Sequence, residues 1–390
     1  MCPQKESQRL GIQELDIGLT GVIRQLQGLN CNKASGPDNI PARFLHDYAI
    51  ELGPMLHFIC KQSYNSSVLP SDWKNALVTG IYKNGTKSSP ENYRPVSLTC
   101  ICCKIMEHII LSHISKHLAE NNIIIDEQHG FREKLSCETQ LIQATHDWAE
   151  VLNRGGQTDV LILDFSKAFD KVPHHRLSLK LDFSGIRGKT LQWINNFLTG
   201  RMQSVVVNGA HSKWYAVTSG VPQGSVLGPT LFLAYINDIV SGVDSTIRLF
   251  ADDSILYREI NSKDDQLILQ KDLQKVFDWA SLWQMRFNAP KCEFLQVTRK
   301  LKPINHTYNI NGHGIEQTSK HKYLGVTINK HLDWKNHVKN VTSGAHGTSG
   351  VLRRNYHLAP WMSRSVLIKS WCVPSSSLRQ RLGTRMPVVK

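Results

Sequence analysis

Val160-Leu161-Ile162-Leu163-Asp164-Phe165-Ser166-Lys167-Ala168-Phe169-Asp170 is the stretch on which the reading turns. Four consecutive aliphatic residues follow shortly after Gly155-Gly156 and run straight into an acid. A short continuous apolar run next to glycine reads as a strand buried on both faces. Asp164 then stands where the strand ends, with Asp170 following on the same segment.

A second pair of acids lies further along, in Leu249-Phe250-Ala251-Asp252-Asp253-Ser254-Ile255-Leu256-Tyr257. Apolar residues on both sides predict a hairpin over 246–258, with Asp252 and Asp253 at its tip. Two like charges there conflict with each other, and a divalent cation removes the conflict because it takes oxygen ligands from several carboxylates. Two such ions about 4 Å apart clamp the attacking and leaving oxygens of a phosphoryl transfer. As neighbours along a strand, Asp252 and Asp253 are expected to point to opposite faces, which makes Asp253 the less important. Between the two acidic segments, Gly220, Gly224 and Gly228 surround Pro222-Gln223 in a loop that feeds a helix over 225–240. Glycine there lets backbone approach a flat or phosphate-bearing ligand. A plain helix-capping loop is the competing reading.

Outward from these segments, helical patterns run over about 12–29, 42–66 (interrupted at Gly53-Pro54), 101–118, 137–153, 190–199 and 265–287. A hairpin is predicted around Asn208-Gly209, with strand-like pieces at 292–298 and 322–328. Helices alternate with strands, and hairpins are present, so the expected class is α+β with a mixed or antiparallel sheet. Cys100, Cys103, His108 and His113 come close to a zinc-knuckle spacing. Met106, Ile109, Ile110, Ile114 and Leu118 recur at helical intervals, however, and no glycine-rich turn is present, so one amphipathic helix is the stronger reading.

With 390 residues, 41% hydrophobic and 20% charged, the chain has a globular composition. Forty-six Lys plus Arg against 32 Asp plus Glu give a net charge of +14, which points to a polyanionic partner, nucleic acid first. From His331 onward there are ten cations and one acid, an excess of nine. Nine cysteines at irregular spacing argue against a disulfide framework and for a reducing compartment. No apolar run reaches the roughly 18 residues that span a bilayer, and the polar start carries no secretory signal, so no membrane partner is expected and an intracellular location is.

Taken in order, DFSKAFD, GVPQGSVLGPTLF, FADD, NAPKCEF and KYLGV, with KASGPDNIP, NYRPVSL and QHGFR upstream, resemble the reverse transcriptase of non-LTR (LINE-type) retrotransposons. The resemblance extends from about residue 12 to 370. It implies a right-hand polymerase of fingers, palm and an incomplete helical thumb. The expected divisions are an N-terminal extension over 1–66, fingers and palm over 67–330, a partial thumb over 331–370, and a disordered tail over 371–390. It also implies an RNA template, a DNA primer or target, dNTPs, and two Mg2+ ions with Mn2+ as the alternative. A nuclear and cytoplasmic ribonucleoprotein location goes with the family.

Carried over position by position, the resemblance makes Asp164 and Asp252 the holders of both ions, with Asp253 beside them and the Phe165 carbonyl as a further ligand. Phe169 matches the residue that blocks a ribose 2′-OH. Gln223 and Gly224 match the nucleotide and template lining, and Arg94 and Lys104 the finger cations. Lys291 matches the lysine that protonates pyrophosphate, and Tyr323, Leu324 and Gly325 the turn that supports the primer end. The family's usual endonuclease and terminal knuckle have no counterpart here. The thumb's usual continuation gives way to KSWCVPSSSLRQRLGTRM, which one lost base in a suitable codon set would produce. A non-catalytic nucleic-acid-binding remnant is therefore the alternative function.

Overall fold

The computed structural model describes residues 11–83 and 85–356. They fall into two compact units, each assembled from separated stretches of chain. Of the described residues, the first comprises 11–83, 85–126, 166–239 and 280–286, and the second 127–165, 240–279 and 287–356.

The second unit is built on a five-stranded sheet in the order Glu316–Thr318, Glu293–Thr298, Gln157–Asp164, Asp253–Glu259, Thr246–Phe250. The first pair is parallel and the others are antiparallel. The apolar run of 160–163 is the middle strand, buried all along until Asp164. Val160 and Ile162, with Ile255, Tyr257, Leu295 and Val297 from its neighbours, pack against Leu141, Ala144, Trp148 and Leu152 of the helix Cys137–Asn153. Each fully buried aliphatic side chain there stabilises by about 1.5–3 kcal/mol. Ser136 starts the helix by accepting from the Thr139 amide, while Thr139 Oγ1 accepts from the Ser136 amide. One acid lies inside this sheet. Asp159 is fully buried and accepts from Tyr308 Oη (2.7 Å), Gln157 Nε2 (2.9 Å) and Gln266 Nε2 (3.1 Å). Burial pushes its carboxyl above the usual range, against the pull of these bonds.

The first unit holds Tyr93–Leu98 antiparallel to Asn75–Tyr82, which runs parallel to Arg201–Val207. Ala210–His211 and Tyr215–Val217 also pair with Arg201–Val207. The hairpin turn is Asn208-Gly209 as predicted, both residues at positive φ. Helices Leu19–Gln27, Ala49–Ser66, Ile101–Glu120, His174–Phe183, Gly188–Leu198 and Gly228–Ile236 belong to this unit. Trp193 is fully buried and donates its indole N–H to Ser63 Oγ at 3.0 Å. Both large sheets mix parallel and antiparallel pairs, which bears out the α+β expectation at that level.

Several local expectations need correction. The 42–66 helix breaks at Tyr48, not at Gly53-Pro54. Proline removes only one amide, and Gly53 is needed because a Cβ there would collide with Ile23. The helix expected over 225–240 spans Gly228–Ile236, since Pro229 suits a first turn and Ser225 Oγ accepts from the Gly228 amide at 3.0 Å. Cys100 to His113 lie in or beside the helix Ile101–Glu120, and His113 Nε2 pairs with the Gln13 carbonyl, so the knuckle spacing is incidental. In the basic segment, Lys335, Lys339, Arg353 and Arg354 are exposed on the helix Lys335–Asn355. Arg364, Lys369 and the whole 371–390 tail lie outside the described residues.

Candidate active site

The middle strand of the second unit carries its acid to the edge of a packed face. Pairing runs Ile162↔Ile255, Leu163↔Ser254, Asp164↔Asp253. Directly opposed residues in an antiparallel pair lie on the same side, with Cβ atoms about 4.5–5.5 Å apart. Steps of two from Val160 through Ile162 to Asp164, and from Tyr257 through Ile255 to Asp253, put both carboxylates on the face that the helix Cys137–Asn153 covers lower down. Both acids are half-buried. Phe250↔Asp253 is the last pair of the hairpin, which leaves Ala251 and Asp252 as its two-residue turn. The expectation that Asp252 and Asp253 alternate along a strand therefore fails, because Asp252 is in the turn.

That turn is held from outside. Ala251 sits at φ +55°, a conformation costly for a residue with a Cβ. Gln128 Oε1 accepts from the Ala251 amide at 2.9 Å and from the Gly130 amide at 2.7 Å. The Leu249 amide donates to Glu127 and the His129 amide to Leu249, both at 2.9 Å. A Cβ on Gly130 would collide with the Ala251 backbone. The Gln128-His129-Gly130 stretch is thus the support of the acidic turn, a role that sequence reasoning left unassigned.

On the other side of the middle strand, the Asn288 amide donates to the Asp164 carbonyl at 2.7 Å. Phe165 is buried and stacks on Phe287 with centroids 4.2 Å apart. The turn Ala289–Lys291 follows, with the Lys291 side chain exposed. Cys292 is buried beside it, and burial pushes its thiol up to about 11, with the Asp164 charge adding to the shift. Tyr323 and Leu324 lie in the hydrophobic core, not at the surface. Tyr323 Oη accepts from Gln140 Nε2 at 3.1 Å. Burial holds its phenol well above the usual range, and the Asp253 charge works in the same direction. The hairpin Lys320–Tyr323/Val326–Asn329 turns through Leu324 and Gly325 at φ +45° and +91°. Of this turn, backbone is what is available to a ligand.

The remaining predicted residues belong to the first unit. Phe169 is half-buried and stacks on Phe232, centroids 4.3 Å apart. Its carbonyl accepts from Val221 at 2.7 Å, and Ser219 Oγ donates to the Asp170 carbonyl at 2.9 Å. Gly220 runs so close to Asp170 that a Cβ would sit 2.7 Å from its backbone. These contacts strap 219–223 onto 169–172. Gln223 Nε2 then donates to Asp170 Oδ1 at 3.2 Å. Burial raises the Asp170 carboxyl above its ordinary value, opposed by that bond. Gly224 is exposed at φ +108°, and a Cβ there would lie 2.6 Å from the Ser97 carbonyl oxygen. The Ser97 amide donates to the Gln223 carbonyl at 2.7 Å, tying the loop to the strand Tyr93–Leu98 on which Arg94 is exposed. Lys104 is half-buried, and burial lowers its pKa.

The donor chemistry fits a hard divalent cation. Asp164 and Asp253 offer opposed carboxylates, Asp252 a third at the adjoining turn, and Phe165 a neighbouring carbonyl. Among the described residues, the grouping whose three ligand atoms all lie within 4.8 Å is a different one, Cys31, His46 and Asp47. His46 Nδ1 already pairs with Asp47 Oδ1 at 2.9 Å there, and Asp47 is exposed, which accounts for that grouping without an ion.

The family model of reverse transcriptase (RNA-dependent DNA polymerase) matches residues 81–328. The chain is 29% identical over 381 residues to the RNA-directed DNA polymerase from mobile element jockey of Drosophila melanogaster, covering 92% of this chain and 40% of that protein. It is 30% identical to the jockey polymerase of Drosophila funebris, covering 83% of this chain and 36% of that one. It is 24% identical to the Pol polyprotein from type-1 retrotransposable element R1 of Bradysia coprophila, covering 91% and 34%. The chain thus spans well under half the length of these relatives. No helix among the described residues is long and apolar enough to cross a membrane.

Proposed function

The chain belongs to the reverse transcriptase family, and on that premise we propose that it is the RNA-directed DNA polymerase of a non-LTR retrotransposon. It extends a DNA primer on an RNA template, joining the primer 3′-OH to the α-phosphate of a dNTP with pyrophosphate leaving. The observation that carries this reading is the opposition of Asp164 and Asp253 next to the Asp252 turn. Three acids gathered at one sheet edge are costly unless they serve a cation.

Asp164, Asp252 and Asp253 hold two Mg2+ ions, with the Phe165 carbonyl as a further ligand. When bound, such ions neutralise charge on the reacting phosphate oxygens and lower the pKa of the attacking hydroxyl. Phe169, backed by Phe232, excludes a ribose 2′-OH. Gln223 and Gly224 line the incoming nucleotide and template, and Arg94 and Lys104 face phosphate. Lys291, exposed on its turn, protonates the leaving pyrophosphate. The backbone of Tyr323-Leu324-Gly325 supports the primer end. In this reading 67–330 form fingers and palm and 331–370 a partial thumb, whose exposed cations grip duplex phosphates. The working location is a ribonucleoprotein in nucleus and cytoplasm.

The test is primer extension on an RNA template with Mg2+ and dNTPs, using the purified full chain. Template-directed addition is expected. Tight, salt-sensitive binding of the primer–template without any addition would overturn the polymerase and leave the non-catalytic binder.

A further inference from the structure

Glu107 is an acid inside a hydrophobic helix face. It lies on Ile101–Glu120 with Cys103, Met106, Ile110 and Ile114, and it is completely buried. Burying a carboxylate is expensive unless it is well bonded. Glu107 Oε2 accepts from the Val226 amide at 2.7 Å and the Leu227 amide at 3.1 Å. Those amides immediately precede the helix Gly228–Ile236, which has no side-chain cap of its own at Leu227. The carboxylate therefore serves a helix start from more than a hundred residues away, where negative charge is favoured. Burial raises the Glu107 carboxyl above its ordinary value, and the two amides, the buried Arg201 and Lys104 work against that rise.

These bonds end at the loop that carries Gln223 and Gly224. Ser225 Oγ donates to the Pro222 carbonyl at 2.8 Å and accepts from the Gly228 amide, closing the loop into a compact turn. Glu107 fixes the inner side of that turn. The Ser97 amide fixes the Gln223 carbonyl, and Asp170 fixes the Gln223 side chain. We infer that Glu107 is a positioning residue for nucleotide binding, acting through the 222–228 loop to hold Gln223 and Gly224 in their binding geometry. This inference rests on the reading of Gln223 as a nucleotide contact.

The experiment measures affinity for the next complementary dNTP in a complex of the full chain with RNA template and a dideoxy-terminated DNA primer, so no turnover is needed. Glu107→Gln keeps shape and an acceptor oxygen but loses the charge-assisted bonds, which are about twice as strong as neutral ones. Gln223→Ala is expected to weaken dNTP binding about tenfold, and Glu107→Gln by a comparable factor. The double variant should bind no more weakly than the weaker single variant, because both changes disable one loop. If Glu107→Gln does not fold, Glu107→Asp, with the charge one methylene shorter, goes through the same titration. Unchanged dNTP affinity with a lowered melting temperature, or additive losses in the double variant, would make Glu107 purely structural and leave the Gln223 reading intact. If Gln223→Ala leaves dNTP affinity unchanged, or the unaltered chain forms no dNTP-dependent complex, the underlying reading fails and the inference with it.

Discussion

Asp164 and Asp253 face each other directly across two antiparallel strands. Like charges directly opposed work against folding, which fits the cation site proposed for this pair.

This relationship leads to the first prediction. Asp164→Asn and Asp253→Asn should each cut primer extension by about a hundredfold or more, since each removes charge from a preorganised electrostatic site. The fold should persist in both variants. Primer extension and a melting curve on the same preparations decide it. Full activity in Asp253→Asn would show that the opposed position is not the one used.

Phe169→Val should admit ribonucleotides. The ring stacks on Phe232, and valine would leave space where it lay. The ratio of rNTP to dNTP incorporation should rise about tenfold or more. An unchanged ratio, with some loss of stability, would make Phe169 a packing residue only.

Asp159 sets a pH dependence. Burial raises its native pKa, so the folded chain holds that proton more tightly than the unfolded chain does. Its contribution to stability therefore falls as pH rises from the ordinary aspartate range through the raised value. Asp159→Asn should lack this slope, and at neutral pH it should cost about 1–3 kcal/mol because the amide cannot accept from every donor around it. Denaturant unfolding across a pH series reads both effects. Parallel curves for the two proteins would refute the assignment.

At the 323–325 turn, backbone and side chain separate. Tyr323→Phe loses one bond to Gln140 inside the core and should cost about 1 kcal/mol with primer extension intact. Gly325→Ala puts a Cβ at φ +91° and should cost about 1–2 kcal/mol while also weakening extension. Equal loss of extension in both variants would return the role to the phenol.

Sequence pattern was enough for the elements that bear the acids. The 160–163 run and the 246–258 hairpin each depend on local hydrophobic order, and both are present. The pairing of Asp164 with Asp253 was not legible, because a one-residue slip between distant strands leaves each strand's own pattern unchanged. Glu107 was legible in principle: an acid one position after Met106 and three before Ile110 stands in an apolar stripe and must be buried. Gln128 gave no such signal, since its partner Ala251 looks like any small turn residue until its φ is known. The place of Gly53 inside the helix Ala49–Ser66 follows from its close approach to Ile23, a tertiary contact with no local trace.

The threading of the second unit also has a consequence for synthesis. The strand Gln157–Asp164 finds its neighbours only at Asp253 and Glu293, which are 253 − 164 = 89 and 293 − 164 = 129 residues later. At about 5–20 residues per second, the ribosome takes roughly 5–25 s to deliver them. Throughout that interval an apolar strand with both edges open is in reach of other nascent chains, and edge pairing of that kind leads to aggregation. The yield of active protein should therefore respond to translation speed and chaperone supply more than to the final stability of the sheet.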